Sequence, residues 1–213
     1  MSYDWHNTQN NEYLQLLLSR LTQSKLIWVQ QFRDIINSYT KQNNIDHFSI
    51  KDIGCNVGHF CRILEELNGN CEYHGYDISD TYLDIAKDNF KDLHFINLNI
   101  EDNVPLNTDI TVISATFEHI NKHGQAIKNI FDSTNKLIIL RTFIGNSYLE
   151  EECKKNDSLY SYIIKQFTIG YFKTLLIGKW DLEVVDDIAT ESTQKCVCSN
   201  IYRTQKILIF RKL

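Results

Sequence analysis

The stretch Ser49-Ile50-Lys51-Asp52-Ile53-Gly54-Cys55-Asn56-Val57-Gly58 constrains this chain more than any other. Ile50 and Ile53 read as the end of a buried strand and Gly54 and Gly58 break the pattern. Phe60, Ile63, Leu64 and Leu67 then return at helical spacing. These residues predict a strand, a tight glycine turn and a helix. Such a turn sets bare backbone and a helix N-terminus at the carboxyl end of a parallel strand, where open α/β sheets bind their ligands. A dinucleotide fingerprint needs glycines at i, i+2 and i+5. Here they lie four apart, with Asp52 two residues before the first. A carboxylate pointing into that loop repels a pyrophosphate and suits a ligand with a cationic end.

The chain on either side fits one α/β layout. Glu12 to Ser38 carries Leu14, Leu17, Leu18, Leu21, Ile27, Trp28, Phe32, Ile35 and Ile36 at amphipathic spacing, giving one or two helices after a loose polar segment 1–10. Strands are expected at Cys71–Tyr76, Leu93–Leu98, Asp109–Ser114, Lys136–Phe143, Asp181–Thr190 and Thr204–Phe210, the last two paired antiparallel. Helices are expected at Thr81–Phe90, Gln125–Phe131 and Thr168–Ile177, the last stopped by Gly178. The alternation predicts an α/β three-layer sandwich with a mostly parallel, seven-stranded sheet and an antiparallel final strand. Asp77 ends the second strand, 23 residues after Gly54. A carboxylate there can accept from two adjacent ribose hydroxyls, each bond contributing on the order of 1.5–3 kcal/mol. Its alternative role is to cap the following helix, for which Ser79 and Asp80 also qualify.

Asp52-x-Gly54-x-x-x-Gly58 resembles the first motif of the class I S-adenosylmethionine (SAM) dependent methyltransferases, with Asn56 where the middle glycine of that motif usually stands. Asn tolerates a positive φ, so the turn survives the exchange. Phe117-Glu118-His119-Ile120 resembles the Leu-Glu-His-Val/Ile that follows the fourth strand in many small-molecule members. The resemblance implies a Rossmann-like fold and SAM as cofactor. It places the amino-acid end of SAM at Asp52, Gly54, Asn56 and Gly58, and the ribose at Asp77 with Ile78. The adenine falls at Asn99 and Ile100, with Glu101 and Asp102 as alternatives, and Ser114 completes the cofactor-binding set. His119 stands where it can take a proton from an acceptor, or serve as a structural histidine. Residues 1–46 become a helical cap on a SAM-binding domain 47–213, with an acceptor-site insertion around 146–166.

Some relatives hold a divalent metal with Glu-x-x-Glu-His, but Ala115 replaces the first Glu, and no metal is expected. Six cysteines, with only Cys196-x-Cys198 closely spaced, read as reduced thiols rather than a zinc site. Cytosine-C5 methylation needs a Pro-Cys nucleophile, yet the single proline, Pro105, precedes Leu106. Exocyclic-amine methylases carry Asp/Asn-Pro-Pro-Tyr where this chain has Ser114-Ala115-Thr116-Phe117. A net charge of −5 and no dense Lys/Arg patch argue against a nucleic-acid partner. Without an 18-residue apolar run or a leader, no membrane association is expected and the cytoplasm is the expected location. The reading is methyl transfer to an oxygen, less readily a nitrogen, of a small molecule such as a sugar or secondary metabolite. Its competitors are a catalytically inactive SAM-fold scaffold and an NAD-dependent oxidoreductase. An aminopropyl-transferring enzyme would show a Gly-Gly-Gly-Asp-Gly type loop, which is absent here.

Overall fold

The computed structural model describes residues 11–22, 26–154, 161–176, 178–190, 194–196 and 199–213. The polar segment 1–10 and Cys198 therefore lie outside the described residues. The amphipathic N-terminal stretch forms two helices, α1 (Asn11–Thr22) and α2 (Ile27–Gln42). A short turn leads α2 back into β1 (His47–Ile53), so the N-terminus of α2 and the carboxyl end of β1 lie at the same edge of the sheet. There follow β2 (Asn70–Asp77), α3 (Asp80–Asn89), β3 (His94–Asn97), β4 (Thr108–Ser114), α4 (His123–Asp132) and β5 (Thr134–Phe143). The remainder is β6 (Leu149–Lys154), β7 (Ser161–Gln166), α5 (Ile169–Thr174), β8 (Trp180–Asp186) and β9 (Gln205–Lys212).

Seven strands make one sheet in the order β3-β2-β1-β4-β5-β9-β8. β3, β2, β1, β4 and β5 run parallel, and β9 is antiparallel to both β5 and β8. This is the expected seven-stranded Rossmann-like sheet. One apolar core, with Phe32 and Ile36 of α2, Phe60, Ile63, and Leu83 of α3, covers one face. A second, with Ile127 and Ile130 of α4 and Phe172 of α5, covers the other. Trp28 packs at the border of the first, edge-on to Phe32 with ring centroids 5.3 Å apart.

Three elements differ from their sequence expectation. The segment after the glycine turn, His59–Glu66, is a 3₁₀ helix rather than an α-helix. Only 11 residues, 59–69, carry the chain from Gly58 back to the start of β2. Eight residues of 3₁₀ helix span roughly 16 Å against about 12 Å for α, closer to the roughly 20 Å length of the strand they run beside. The helix α5 is shorter than 168–177, with Thr168 as its N-cap accepting from the Tyr171 N–H at 3.1 Å. β8 ends at Asp186 rather than Thr190, because Asp187 turns inward to a buried arginine described below. The insertion 146–166 contains the antiparallel pair β6–β7.

Parallel β3 and β4 are joined by residues 98–107 with no helix between them. Two buried polar side chains anchor this crossover. Asn129 of α4 donates to the Ile100 carbonyl at 2.8 Å. Lys51, fully buried within β1, donates to the Leu106 carbonyl at 3.1 Å, to Ser133 Oγ at 2.7 Å and to the Ser133 carbonyl. Ser133 is the C-cap of α4, so the ammonium satisfies the negative end of that helix. Burial pulls the Lys51 pKa down to about 7. Lys51→Met leaves these buried acceptors without their donor, and is expected to lower stability by about 1–3 kcal/mol. Urea denaturation checks this, and an unchanged or raised midpoint would contradict it.

Candidate cofactor and methyl-transfer site

The strand order reverses between β1 and β4, and the loops leaving their carboxyl ends face each other across that switch point. Gly54 has φ +74° and Gly58 φ +89°, both in the left-handed region. A Cβ on Gly54 would stand 2.2 Å from Thr116 Oγ1, so the glycine loop and the turn after β4 are in direct contact. Asn56 takes φ +55°, the conformation for which Asn was expected to stand in for glycine, and its Oδ1 accepts from the Val57 N–H at 2.8 Å. The loop is fastened to β2 where the Gly54 and Cys55 N–H groups donate to the Tyr76 carbonyl at 2.7 and 3.0 Å.

Asp77 and Asp52 put two carboxyl groups at this loop. Asp77 Oδ2 accepts from the Asn56 N–H at 2.9 Å and Oδ1 from the Ser79 N–H at 3.0 Å. It is Ser79, not Asp77, that caps α3 through its side chain. Ile78 follows at the rim, its carbonyl accepting from Asn97 Nδ2 at 3.1 Å. Asp52 is buried under the loop, with Tyr73 Oη donating to its Oδ2 at 3.0 Å. Burial raises its pKa to about 7, the Tyr73 bond opposes that rise, and the negative charge of Asp77 adds to it.

From the crossover, Asn99 Oδ1 accepts from the Glu101 N–H at 3.0 Å while its Nδ2 donates to Asp102 at 2.8 Å. Ile100 is buried. Glu101 turns away to accept from the Asn121 N–H at 2.7 Å.

Beyond β4, Ser114 Oγ lies 3.4 Å from Arg141 Nη1, and Ala115 takes φ +53° at the start of the turn. The 3₁₀ turn Phe117–His119 then sends adjacent side chains to different partners. His119 Nδ1 lies 2.9 Å from the Ile163 carbonyl on β7, and its ring meets Tyr162 edge-on at 5.6 Å. Glu118 turns inward, 1% exposed, and accepts from Thr142 Oγ1 at 3.0 Å and Gln205 Nε2 at 3.3 Å. Among the described residues no three His, Cys, Asp or Glu side chains gather as a metal-binding group. Arg141 forms an ion pair with Asp187 at 2.8 Å.

Over the glycine loop lies α1, whose Leu17 packs on Val57 and on Tyr82 of α3, and whose Leu17 carbonyl accepts from His59 Nε2 at 3.0 Å. Sequence reasoning did not find Tyr73, Thr116 or Asn129. Each acts through a tertiary contact with a residue at least 21 positions away, and no local pattern marks it. An open depression lined by His47, Asn70, Asp92 and Asp109 lies at the opposite, amino-terminal edge of the sheet, away from these loops.

Residues 52–136 match the family model described as a methyltransferase domain. A search of curated protein sequences finds no match. Among solved structures, a SAM-dependent methyltransferase from Clostridium acetobutylicum aligns over 95% of this chain and 98% of its own, at TM-score 0.64 and 12% identity. The magnesium protoporphyrin IX methyltransferase of Synechocystis, solved with bound SAM, aligns over 99% and 95% at TM-score 0.63 and 12% identity. One from Mesorhizobium loti aligns over 78% and 91% at TM-score 0.57 and 14% identity. No helix among the described residues is long and apolar enough to cross a membrane. The domain match spans the glycine loop, Asp77 and the Glu-His turn, and the fold, shared nearly end to end with SAM-dependent methyltransferases of known structure, is the Rossmann-like methyltransferase fold.

Proposed function

We propose that this chain transfers the methyl group of SAM to an oxygen, or less readily a nitrogen, of a small molecule. The observation that carries the reading is the crevice between β1 and β4. It is lined by backbone that leaves no room for a Cβ at Gly54, and two carboxyl groups, Asp52 and Asp77, stand close enough for one to raise the pKa of the other. Such a crevice disfavours a pyrophosphate and suits an adenosyl ligand carrying an ammonium and a sulfonium. When bound, SAM supplies an activated methyl group on a positively charged sulfur.

The chain's own residues supply the rest. Asp77 accepts from the ribose hydroxyls, with Ile78 beside them. Asp52, through the oxygen that Tyr73 does not hold, favours the ammonium. Gly54, Asn56 and Gly58 shape the backbone around the amino-acid end, and Ser114 borders it. Asn99 and Ile100 receive the adenine. His119 takes the acceptor proton: a carbonyl only accepts, so Nδ1 carries the hydrogen toward Ile163 and Nε2 holds the basic lone pair. General-base help of this kind is worth typically about 10²–10⁴-fold, and positioning of the acceptor can add roughly 7–11 kcal/mol. Helix α1 covers the cofactor loop, and the β6–β7 insertion forms the acceptor side.

A thermal-shift titration with SAM, S-adenosylhomocysteine (SAH) and NAD(H) tests the reading. A ligand at about a hundredfold over its Kd stabilises the folded chain by about 2.7 kcal/mol. Shifts with SAM and SAH and none with NAD(H) are expected. No shift with either adenosyl-sulfur ligand would overturn the assignment and favour an inactive scaffold.

A further inference from the structure

Behind the turn that carries His119 lies a buried charged network that none of the roles above uses. Arg141 Nε donates to Asp187 Oδ2 at 2.9 Å, and Arg141 Nη2 reaches Thr190 Oγ1 at 3.0 Å and Gln205 Oε1. Gln205 donates in turn to Glu118, which also receives the Thr142 hydroxyl. With the Arg141–Ser114 contact, the network grips both ends of the 114–119 turn from β5, β9 and the segment after β8.

Its charges do not cancel. Arg141 is paired with Asp187, whereas both donors to Glu118 are neutral, and among the described residues no cationic group forms an ion pair with it. The formal charges of Arg141, Asp187 and Glu118 sum to −1, and Glu118 is 1% exposed. A buried charge without a partner is costly unless something else in the working protein balances it. Burial raises the Cys196 thiol to about 11, and Glu118 adds to that rise against the opposing pull of Arg203. Thr116, two residues before Glu118 in the same turn, is the group in contact with Gly54 of the cofactor loop.

We propose that Glu118 is an electrostatic positioning residue whose carboxylate, set behind the 114–119 turn, favours the cationic methyl donor over its neutral demethylated product. The inference rests on the reading of this crevice as a SAM site. SAM carries a sulfonium and SAH a neutral thioether, while both share the adenosine and the amino acid. A field from Glu118 acts on that difference alone. It strengthens loading with the donor and weakens retention of the product once the methyl group has left.

Isothermal titration of the full chain with SAM and with SAH tests this without knowledge of the acceptor. Glu118→Gln keeps shape and hydrogen-bonding capacity and removes the charge. The ratio of SAH to SAM dissociation constants is expected to fall by about tenfold. Asp187→Asn leaves Arg141 to balance Glu118 and is expected to lower the ratio in the same direction, so it decides the matter should Glu118→Gln fail to fold. Thr142→Val removes a donor but no charge and is expected to leave the ratio unchanged. If the charge-removing variants weaken both ligands by the same factor, or neither, Glu118 is structural and the proposal is overturned. If the wild-type chain binds neither ligand, the SAM reading itself falls, an outcome distinct from an unchanged ratio.

Discussion

Asp77→Ala is expected to weaken binding of both SAM and SAH by about 10²–10⁴-fold while leaving the far-UV circular dichroism unchanged. The carboxylate already serves two backbone donors, Asn56 N–H on one oxygen and Ser79 N–H on the other. Each oxygen has more than one acceptor position, so two ribose hydroxyls can join without displacing either. Removing the carboxylate deletes both charge-assisted ribose bonds and also frees Asn56, which is held at a positive φ in the middle of the glycine loop. Asp77→Asn gives a graded control, since the amide has one accepting oxygen and must turn an NH₂ toward one of the two backbone donors. Because the ribose is common to both ligands, the two affinities should fall together, unlike the ratio change expected of Glu118→Gln. Isothermal titration measures all four combinations. Unchanged affinity in Asp77→Ala would remove this residue from the site.

What local pattern can encode was legible before the structure. Gly54, Asn56 and Gly58 are bound to their neighbours by backbone geometry, and the positive φ at each follows from the residue types. The parallel strands β1, β2, β4 and β5 alternate or cluster apolar residues between turns, and they fall where the sequence predicts them. What was not legible depends on lengths and long-range partners. The 3₁₀ form of 59–66 is set by the distance the chain must cover, which its apolar spacing does not contain. The inward turn of Glu118 is set by Thr142 and Gln205, 24 and 87 residues away. A Glu-His pair looks alike in sequence whether both side chains face one ligand or, as here, separate partners on β5, β7 and β9.

Asp52→Asn is expected to make the ligand-free protein more stable and a poorer binder of SAM. Burial raises the Asp52 carboxyl from its ordinary 3.8 to about 7. Between those values the folded chain holds a proton that the unfolded chain releases, so stability falls as pH rises through the window and the full cost is present above pH 7. A shift of about three pH units corresponds to about 4 kcal/mol. Asparagine keeps the shape, can still accept from Tyr73 Oη and never ionises, so the slope should vanish. Wild type and variant should be nearly equal near pH 4 and differ by about 4 kcal/mol at pH 8. Urea denaturation of both proteins from pH 4.5 to 8.5 decides it, and parallel pH profiles would contradict the argument. An ammonium brought against Asp52 favours its ionised form, so SAM affinity of the wild type should rise across the same pH window. In Asp52→Asn that rise should be lost. A carboxyl that weakens the empty fold and strengthens the loaded one ties the energetic cost of burying Asp52 to cofactor binding. Asp52 would then be retained for the ligand it receives, at the expense of the stability of the sheet that holds it.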